Sequence, residues 1–414
     1  MALNFIWFGF FIVAFIIAFY KWLITGDVTI FKTITDGIFK SAGDSVDLSF
    51  KLIGIMTLFL GFMNIGEKAG AIRFLSRIVG PFFGKLFPDV PKNHPAMGHM
   101  MMNFSANLLG LDNAATPFGL KAMDSLQTLN PSKDTASNSQ IMFLVLHASG
   151  LTLIPISIIA MRASVTPPAA NPTDIFIPCM IATFAATMAA LIIISFKQKI
   201  NLIQPIMLAW ILGISALIGL LIAYLKIFLN QQGIQQFSNV MSNGLILLIF
   251  FVFLTAGIYK KVNVFESFIE GAKGGFETAI KIIPYLVAML VAISVLRSSG
   301  AFEFITKGFT ILFSSIGLDT QFVAALPTAL MKPLSGSGSR AMMIDAMNMY
   351  GADSFAGRLS AIFQGSSDTT FFVVAVYFGS VGIKNTRYAI PSMLLADLVG
   401  IITAIFVAYL FFAV

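Results

Sequence analysis

The sequence predicts an all-α, polytopic membrane protein with two homologous repeats, each carrying a broken or re-entrant polar helix segment. Three observations predict it. Hydrophobic residues fill 57% of the 414 positions and charged residues only 11%, against about 25% charged in an ordinary soluble domain. Runs such as Phe5 to Tyr20, Leu202 to Leu225 and Leu245 to Ile258 are apolar for about the length that crosses a hydrocarbon core of roughly 30 Å. They are too long for barrel strands and lack the alternation of such strands, so the backbone in lipid is read as helical. Third, two polar tracts interrupt the chain at matching places: MMNFSANLLGLDNAATP at 101–117 and MKPLSGSGSRAMMIDAM at 331–347.

Taken in order, the first apolar run has no basic segment before it and no small-residue cleavage site, and it reads as a retained span. Asp36-Gly37 then opens an amphipathic stretch with Ile34, Ile38, Ala42 and Val46 on one helical face. Glu270-Gly271 sits in a similar stretch carrying Phe265, Ile269 and Phe276. An apolar span follows each, then Gly70-Ala71-Ile72 in one half and Gly300-Ala301-Phe302 in the other. Gly70 precedes Met102 by 32 positions and Gly300 precedes Met331 by 31, so the polar tracts fall in register. Farther on, HASGLT at 147–152 matches QGSSDT at 364–369, and IPCM at 177–180 matches IPSM at 390–393. The first half carries an extra polar loop, NPSKDTASNSQ at 130–140, which explains a slip in register after its polar tract. The domain reading is therefore a repeat over 1–200, a connecting span and loop over 201–235, and a repeat over 236–414. Lys197, Lys199, Lys260 and Lys261 mark a cytoplasmic side and the Gln231-Gln232 loop the opposite side, fixing one hairpin. Parallel or inverted arrangement of the repeats stays open, with inversion favoured because transporters commonly use it.

The formal charge of +7 is spread singly among the spans, without a basic patch interleaved with aromatics. Contact with anionic lipid is the expected use, and no nucleic-acid partner is expected. A single cysteine, Cys179, excludes an internal disulfide and a cysteine metal cluster. His94 and His99 have no suitably spaced partner, so no metal is assigned. The chain has no G-x-x-x-x-G-K-[ST], H-E-x-x-H or G-x-S-x-G motif. It is read as a non-enzyme without a cofactor, whose transport would be passive or ion-coupled unless a partner supplies energy.

The polar tracts carry the candidate site. Asn103, Ser105, Asn107, Asn113 and Thr116 lie in a segment too polar for lipid and too broken by Gly110 and Pro117 for an ordinary helix. In the second tract Pro333 and the run Ser335, Ser337 and Ser339 with its glycines break the helix, while Lys332, Arg340 and Asp345 add charge. Ionisable groups inside a membrane are costly and by default mark a pathway or site. Helix N-termini beside Ser and Gly present N–H groups to an anion. His147 with Ser149, and Gln364 with Ser366 and Ser367, complete the solute-binding candidates; Asp368 and Thr369 are the ion-coupling candidates. The plain alternative is that small and polar residues only join helices, with Lys332 or Arg340 paired to Asp345 or Asp368.

The stretch NFSANLLGLDNAATPFGLKAM resembles spore maturation protein A. MKPLSGSGSRAMMIDAM, with the preceding PYLVAMLVAISVLRSSGAF, resembles spore maturation protein B. The chain looks like a fusion of the two, within the nucleoside recognition or gate superfamily. That superfamily also supplies membrane domains of ferrous-iron transporter B and is related to concentrative nucleoside transporters. The resemblance implies that the tracts are re-entrant hairpins facing broken helices at the His147 and Gln364 segments, an implication at the level of fold alone. It names no substrate, and the GTPase domain of the iron transporter is missing. The leading expectation is a multi-pass permease of the cytoplasmic (inner) membrane for a small polar or anionic organic solute, nucleoside-like or carboxylate. The alternatives are a non-transporting scaffold or regulator of envelope or spore maturation, and a cation pathway. A homo-oligomer is compatible with each.

Overall fold

The computed structural model describes residues 2–412 other than 92, 110, 111 and 153. Every named element among them is helical, and a lone β-bridge joins Thr135 to Asn385. In chain order, α1 (Ala2–Tyr20) runs into a π-helical turn at Lys21–Thr25, and α2 (Ile30–Lys68) is followed by α3 (Ala71–Leu86). Next come α4 (Pro95–Leu108), α5 (Asp112–Thr128), α6 (Asn138–Ser149), α7 (Ile156–Ser164), α8 (Phe176–Gln198), α9 (Pro205–Phe228) and α10 (Gln231–Tyr259). The chain continues through α11 (Val264–Ser298), α12 (Ala301–Ser315), a 3-10 turn at Gln321–Ala325, α13 (Leu326–Met331) and α14 (Gly336–Tyr350). It ends with α15 (Phe355–Gly365), α16 (Thr370–Val373), a π-helical turn at Val374–Phe378, and α17 (Ala389–Phe412).

Eight segments among the described residues are long and apolar enough to cross a membrane. The chain is thus an all-α polytopic membrane protein. α9 illustrates the local cause. Pro205 starts it, where a missing N–H leaves no helical bond unmade, and its 24 residues rise about 36 Å. The shorter α6 is started by a capping box, in which Ser137 accepts from the Gln140 N–H and the Gln140 side chain accepts from the Ser137 N–H. Before α2, Asp27 lies outside the spans. The Thr29 hydroxyl and N–H both donate to its carboxylate, which holds its pKa below the ordinary aspartate value.

The order of elements recurs along the chain. Two long helices, α2 of 39 residues and α11 of 35, each begin charged and turn apolar. Each gives way to an amphipathic helix, α3 or α12, through a glycine in the left-handed region: Gly70 at φ 95° and Gly300 at φ 87°. Only glycine takes that conformation without steric cost, which explains why both sharp entries carry it. Short helix pairs α4–α5 and α13–α14 follow, then the broken pairs α6–α7 and α15–α16, then the apolar α8 or α17.

By contacts the chain divides into two compact units, each drawing on both halves of the sequence. The first comprises Met1–Leu58, Ser157–Pro172 and Ala272–Gln364. Its largest fully buried side chain is Arg162 at the end of α7, which donates to the carbonyls of Ala352 at 2.8 Å, Pro172 at 3.2 Å and Asn171 at 3.3 Å. Arg297 at the end of α11 pairs through two nitrogens with Asp345 of α14 and lies 4.0 Å from the Phe302 ring centre.

The second unit comprises Phe59–Ile156, Thr173–Gly271 and Gly365–Val414. Phe83, Met100, Met123, Phe143, Ala190, Tyr377 and Phe378 are among the residues of its core. The polar loop anticipated at 130–140 is tied to the chain before α17. The N–H groups of Lys384 and Asn385 donate to the Asp134 carbonyl, and the Arg387 guanidinium donates to the Ala136 carbonyl and the Asn138 amide oxygen.

Candidate functional site

The predicted residues gather into two polar centres, one in each unit. In the second unit, α6 ends at Gly150, whose φ of 60° turns the chain out of the helix one turn after His147. α4 brings Asn103 and Asn107 to the ring: Asn103 Oδ1 lies 2.9 Å and Asn107 Nδ2 2.8 Å from His147 Nδ1. The Asn103 amide is fixed from its other end, since Nδ2 donates to the Ala115 carbonyl at 2.6 Å. The Tyr377 ring stands edge-on to the imidazole at 4.7 Å between centres. Behind the ring lies a cavity of about 120 Å³, lined by Phe82, Phe104, Ser105, Asn107, Leu146, His147, Thr187 and Trp210 among others. Ser105 Oγ is buried without a hydrogen-bond partner. Ser149 donates to the Leu146 carbonyl, and its hydroxyl lies 3.1 Å from that of Thr187.

The helix break after α15 meets the break after α6. The Asp368 N–H donates to the Ala148 carbonyl at 2.7 Å, so HASGLT and QGSSDT, matched in the sequence, touch one another. Asp368 Oδ2 then stands 3.8 Å from His147 Nε2, its side chain 47% exposed and the histidine 4%. Oδ1 accepts from the Thr369 N–H at 2.6 Å. Ser366, Ser367 and Thr369 are buried in the same break.

The first unit holds the cationic centre. α13 is six residues long, and the chain turns through Lys332–Ser335 before α14, whose N-cap Ser335 accepts from the Gly338 N–H. Ser337 bonds Ser335, and Ser339 donates to the Thr328 carbonyl. Lys332 is 5% exposed and donates to the Gln364 carbonyl at 2.7 Å. In the same unit, Thr328 Oγ1, Ser360 Oγ, Gln364 Oε1 and Arg340 Nε are buried without hydrogen-bond partners. Thr328 and Lys332 are one turn apart, as are Ser360 and Gln364, so each pair shares a face. A buried hydroxyl or amide left unmatched costs about 1–3 kcal/mol. This centre therefore offers unmet donors and acceptors beside a positive charge.

Other readings change. Asp345, weighed as a partner for Lys332 or Arg340, is taken by Arg297 because α11 ends against α14. Thr116 is exposed on α5. The Asn113 side chain and Gly110 lie outside the described residues. Gln364 sits with Lys332, whereas Ser366, Ser367, Asp368 and Thr369 belong to the compact unit of His147. Two functional candidates were missed. Tyr377 hides in an aromatic-rich run and gave no signal. Asp397 is 3% exposed in α17 and accepts from the Thr370 hydroxyl at 2.6 Å; as a lone acid within an apolar span it was findable. Among the described residues, no group of three His, Cys, Asp or Glu side chains is placed to hold a metal ion.

A family model described as nucleoside recognition (Gate) matches residues 49–165 and 279–384. The chain is 48% identical over 174 residues to spore maturation protein B of Bacillus subtilis (strain 168), covering 42% of this chain and 96% of that protein. It is 41% identical over 162 residues to spore maturation protein A of the same organism, covering 39% of this chain and 82% of that protein. No solved structure matches it.

Proposed function

Since the chain belongs to the nucleoside recognition (Gate) family, we propose that it is a multi-pass permease of the cytoplasmic membrane for a small polar or anionic organic solute. The observation that carries this reading is the Lys332 centre: a buried lysine bonded to the Gln364 carbonyl, in a unit where Thr328, Ser360, Gln364 and Arg340 each bury a polar atom that no protein group satisfies. Native interiors leave few such atoms, and a ligand that supplies the missing bonds suits them. Lys332 binds the solute's negative or carbonyl oxygen, the Ser335–Ser339 turn contributes hydroxyls, and Gln364 accepts from a solute donor. Asn103, Asn107, Ser105, His147, Ser149, Ser366 and Ser367 form a second, neutral centre in the other compact unit. The reading assigns no bond-breaking step and no cofactor.

We also read residues 1–200 and 236–414 as repeats joined through 201–235. The family match to a segment in each half, the recurring helix order and the paired Gly70 and Gly300 caps support this. In each repeat the short helix pair, α4–α5 or α13–α14, forms the re-entrant segment. α4 and α14, of 14 and 15 residues, rise about 21 and 22 Å, short of the roughly 30 Å core.

Purified protein in proteoliposomes, assayed across a broad panel of small organic solutes, tests the permease. The parent moves at least one member; Lys332→Ala and Asn103→Ala retain expression and lose uptake. Unchanged flux over the whole panel contradicts the reading. It would favour a non-transporting role in maturation, for which the names of the two relatives speak.

A further inference from the structure

From the second unit's centre we infer that His147 and Asp368 form a proton-binding pair, with the exchanging proton on His147 Nε2 and Asp368 as its counter-charge. In the permease reading above, the proton is then the coupling ion.

Asn103 sets the tautomer of His147. Asn103 Nδ2 is committed to the Ala115 carbonyl, so the oxygen of that amide faces His147 Nδ1 at 2.9 Å. An oxygen there requires Nδ1 to donate, and the neutral ring therefore carries its proton on Nδ1 and a lone pair on Nε2. Asn107 Nδ2 also lies 2.8 Å from that nitrogen; a protonated Nδ1 requires this amide to flip so that its oxygen faces the N–H, a choice its near-symmetric shape permits. Nδ1 is thus occupied in either charge state. Nε2 is the nitrogen that takes up a proton, and it faces Asp368 Oδ2 at 3.8 Å.

The surroundings suit exchange. Asp368 is half exposed while His147 is buried, so the carboxylate is the solvent side of the pair and the imidazole its interior side. The imidazole also lines the 120 Å³ cavity. A proton arriving on Asp368 leaves its Oδ2–H bond for the Nε2 lone pair, turning a neutral acid and a neutral ring into carboxylate and imidazolium. Among the described residues, the other elements facing His147 bring neutral groups: α4 offers the amides Asn103 and Asn107, α8 offers Phe184, Thr187 and Met188, and the turn after α16 offers the Tyr377 phenol. Asp397 is engaged with Thr370. The Asp368 N–H bond to Ala148 holds the pair together through the backbone, independently of either side chain.

The experiment uses full-length protein in which His94→Asn and His99→Gln leave His147 as the lone histidine, labelled with nitrogen-15 and followed by NMR over about pH 4 to 9. The neutral form is expected as the Nδ1–H tautomer, with Nε2 gaining the proton. Asp368→Asn is expected to move the midpoint of that change down by about 1 pH unit or more, and Asp368→Glu to restore most of it. An Nε2–H neutral tautomer, a ring that does not titrate in this range, or a midpoint unmoved in Asp368→Asn overturns the proposal. If Asp368→Asn does not fold, the tautomer of the parent and the midpoint in Asp368→Glu decide. These readings involve no solute, so the proton pair can fail while uptake persists, and uptake can be absent while the pair stands.

Discussion

The centre at His147 and the centre at Lys332 both occupy helix breaks, yet they treat buried polarity differently. Around His147 nearly every polar atom is matched: Asn103 bridges the ring and the Ala115 carbonyl, Ser149 bonds Leu146 and Thr187, and Ser105 Oγ is left over. In the unit of Lys332 four side-chain atoms are left unmatched. A matched network rigidifies its surroundings and fixes a tautomer, whereas an unmatched one is a deficit that a ligand can fill. The amides of the first tract hold geometry, and the charged second tract, with its unmatched atoms, is where we propose that solute is held.

Four substitutions test the two centres and the packing near them. The largest effect is expected from Arg162→Ala, which removes the fully buried guanidinium and strands the carbonyls of Ala352, Asn171 and Pro172 ahead of the chain that carries Gln364. A loss of about 3–5 kcal/mol should appear in denaturant or thermal unfolding in detergent. Asn103→Ala should cost about 1–3 kcal/mol by the same measurement, because it leaves the Ala115 carbonyl and His147 Nδ1 unmatched. Gly150→Ala should cost about 1–2 kcal/mol, since an alanine at φ 60° is strained and its Cβ would lie 3.4 Å from the Asp368 nitrogen. Thr328→Val should be the mildest. Its hydroxyl has no partner, so stability should change by less than about 0.5 kcal/mol or rise, while solute affinity falls. A destabilisation as large as that of Asn103→Ala would erase the distinction between the centres.

Much of the fold was legible in the sequence because lipid leaves few choices. Long apolar runs must be helical, and α8, α9, α10 and α17 follow from them directly. The break before α14 was legible through its Ser-Gly run, since these residues favour turns over helix interiors, whereas the break after α6 came only as an implication of the family resemblance. Partnerships were not. Arg297 and Asp345 are 48 positions apart, and nothing local distinguishes Arg297 from Lys332 as the partner of that acid. The contact of Asp368 with His147 depends on two breaks meeting in space. The matched motifs HASGLT and QGSSDT pair the two segments in sequence, but their meeting goes with the packing of α6 against α8 and α17.

The account rests most directly on Lys332 as the group that holds solute. The decisive measurement is a thermal-shift screen of the parent and Lys332→Met proteins against small organic anions and polar neutral solutes, since a ligand bound only to the folded state raises its stability by mass action. The account predicts at least one solute that raises the unfolding temperature of the parent in a concentration-dependent way and leaves Lys332→Met unmoved. Equal shifts in both proteins, or none in the parent across the panel, would contradict it.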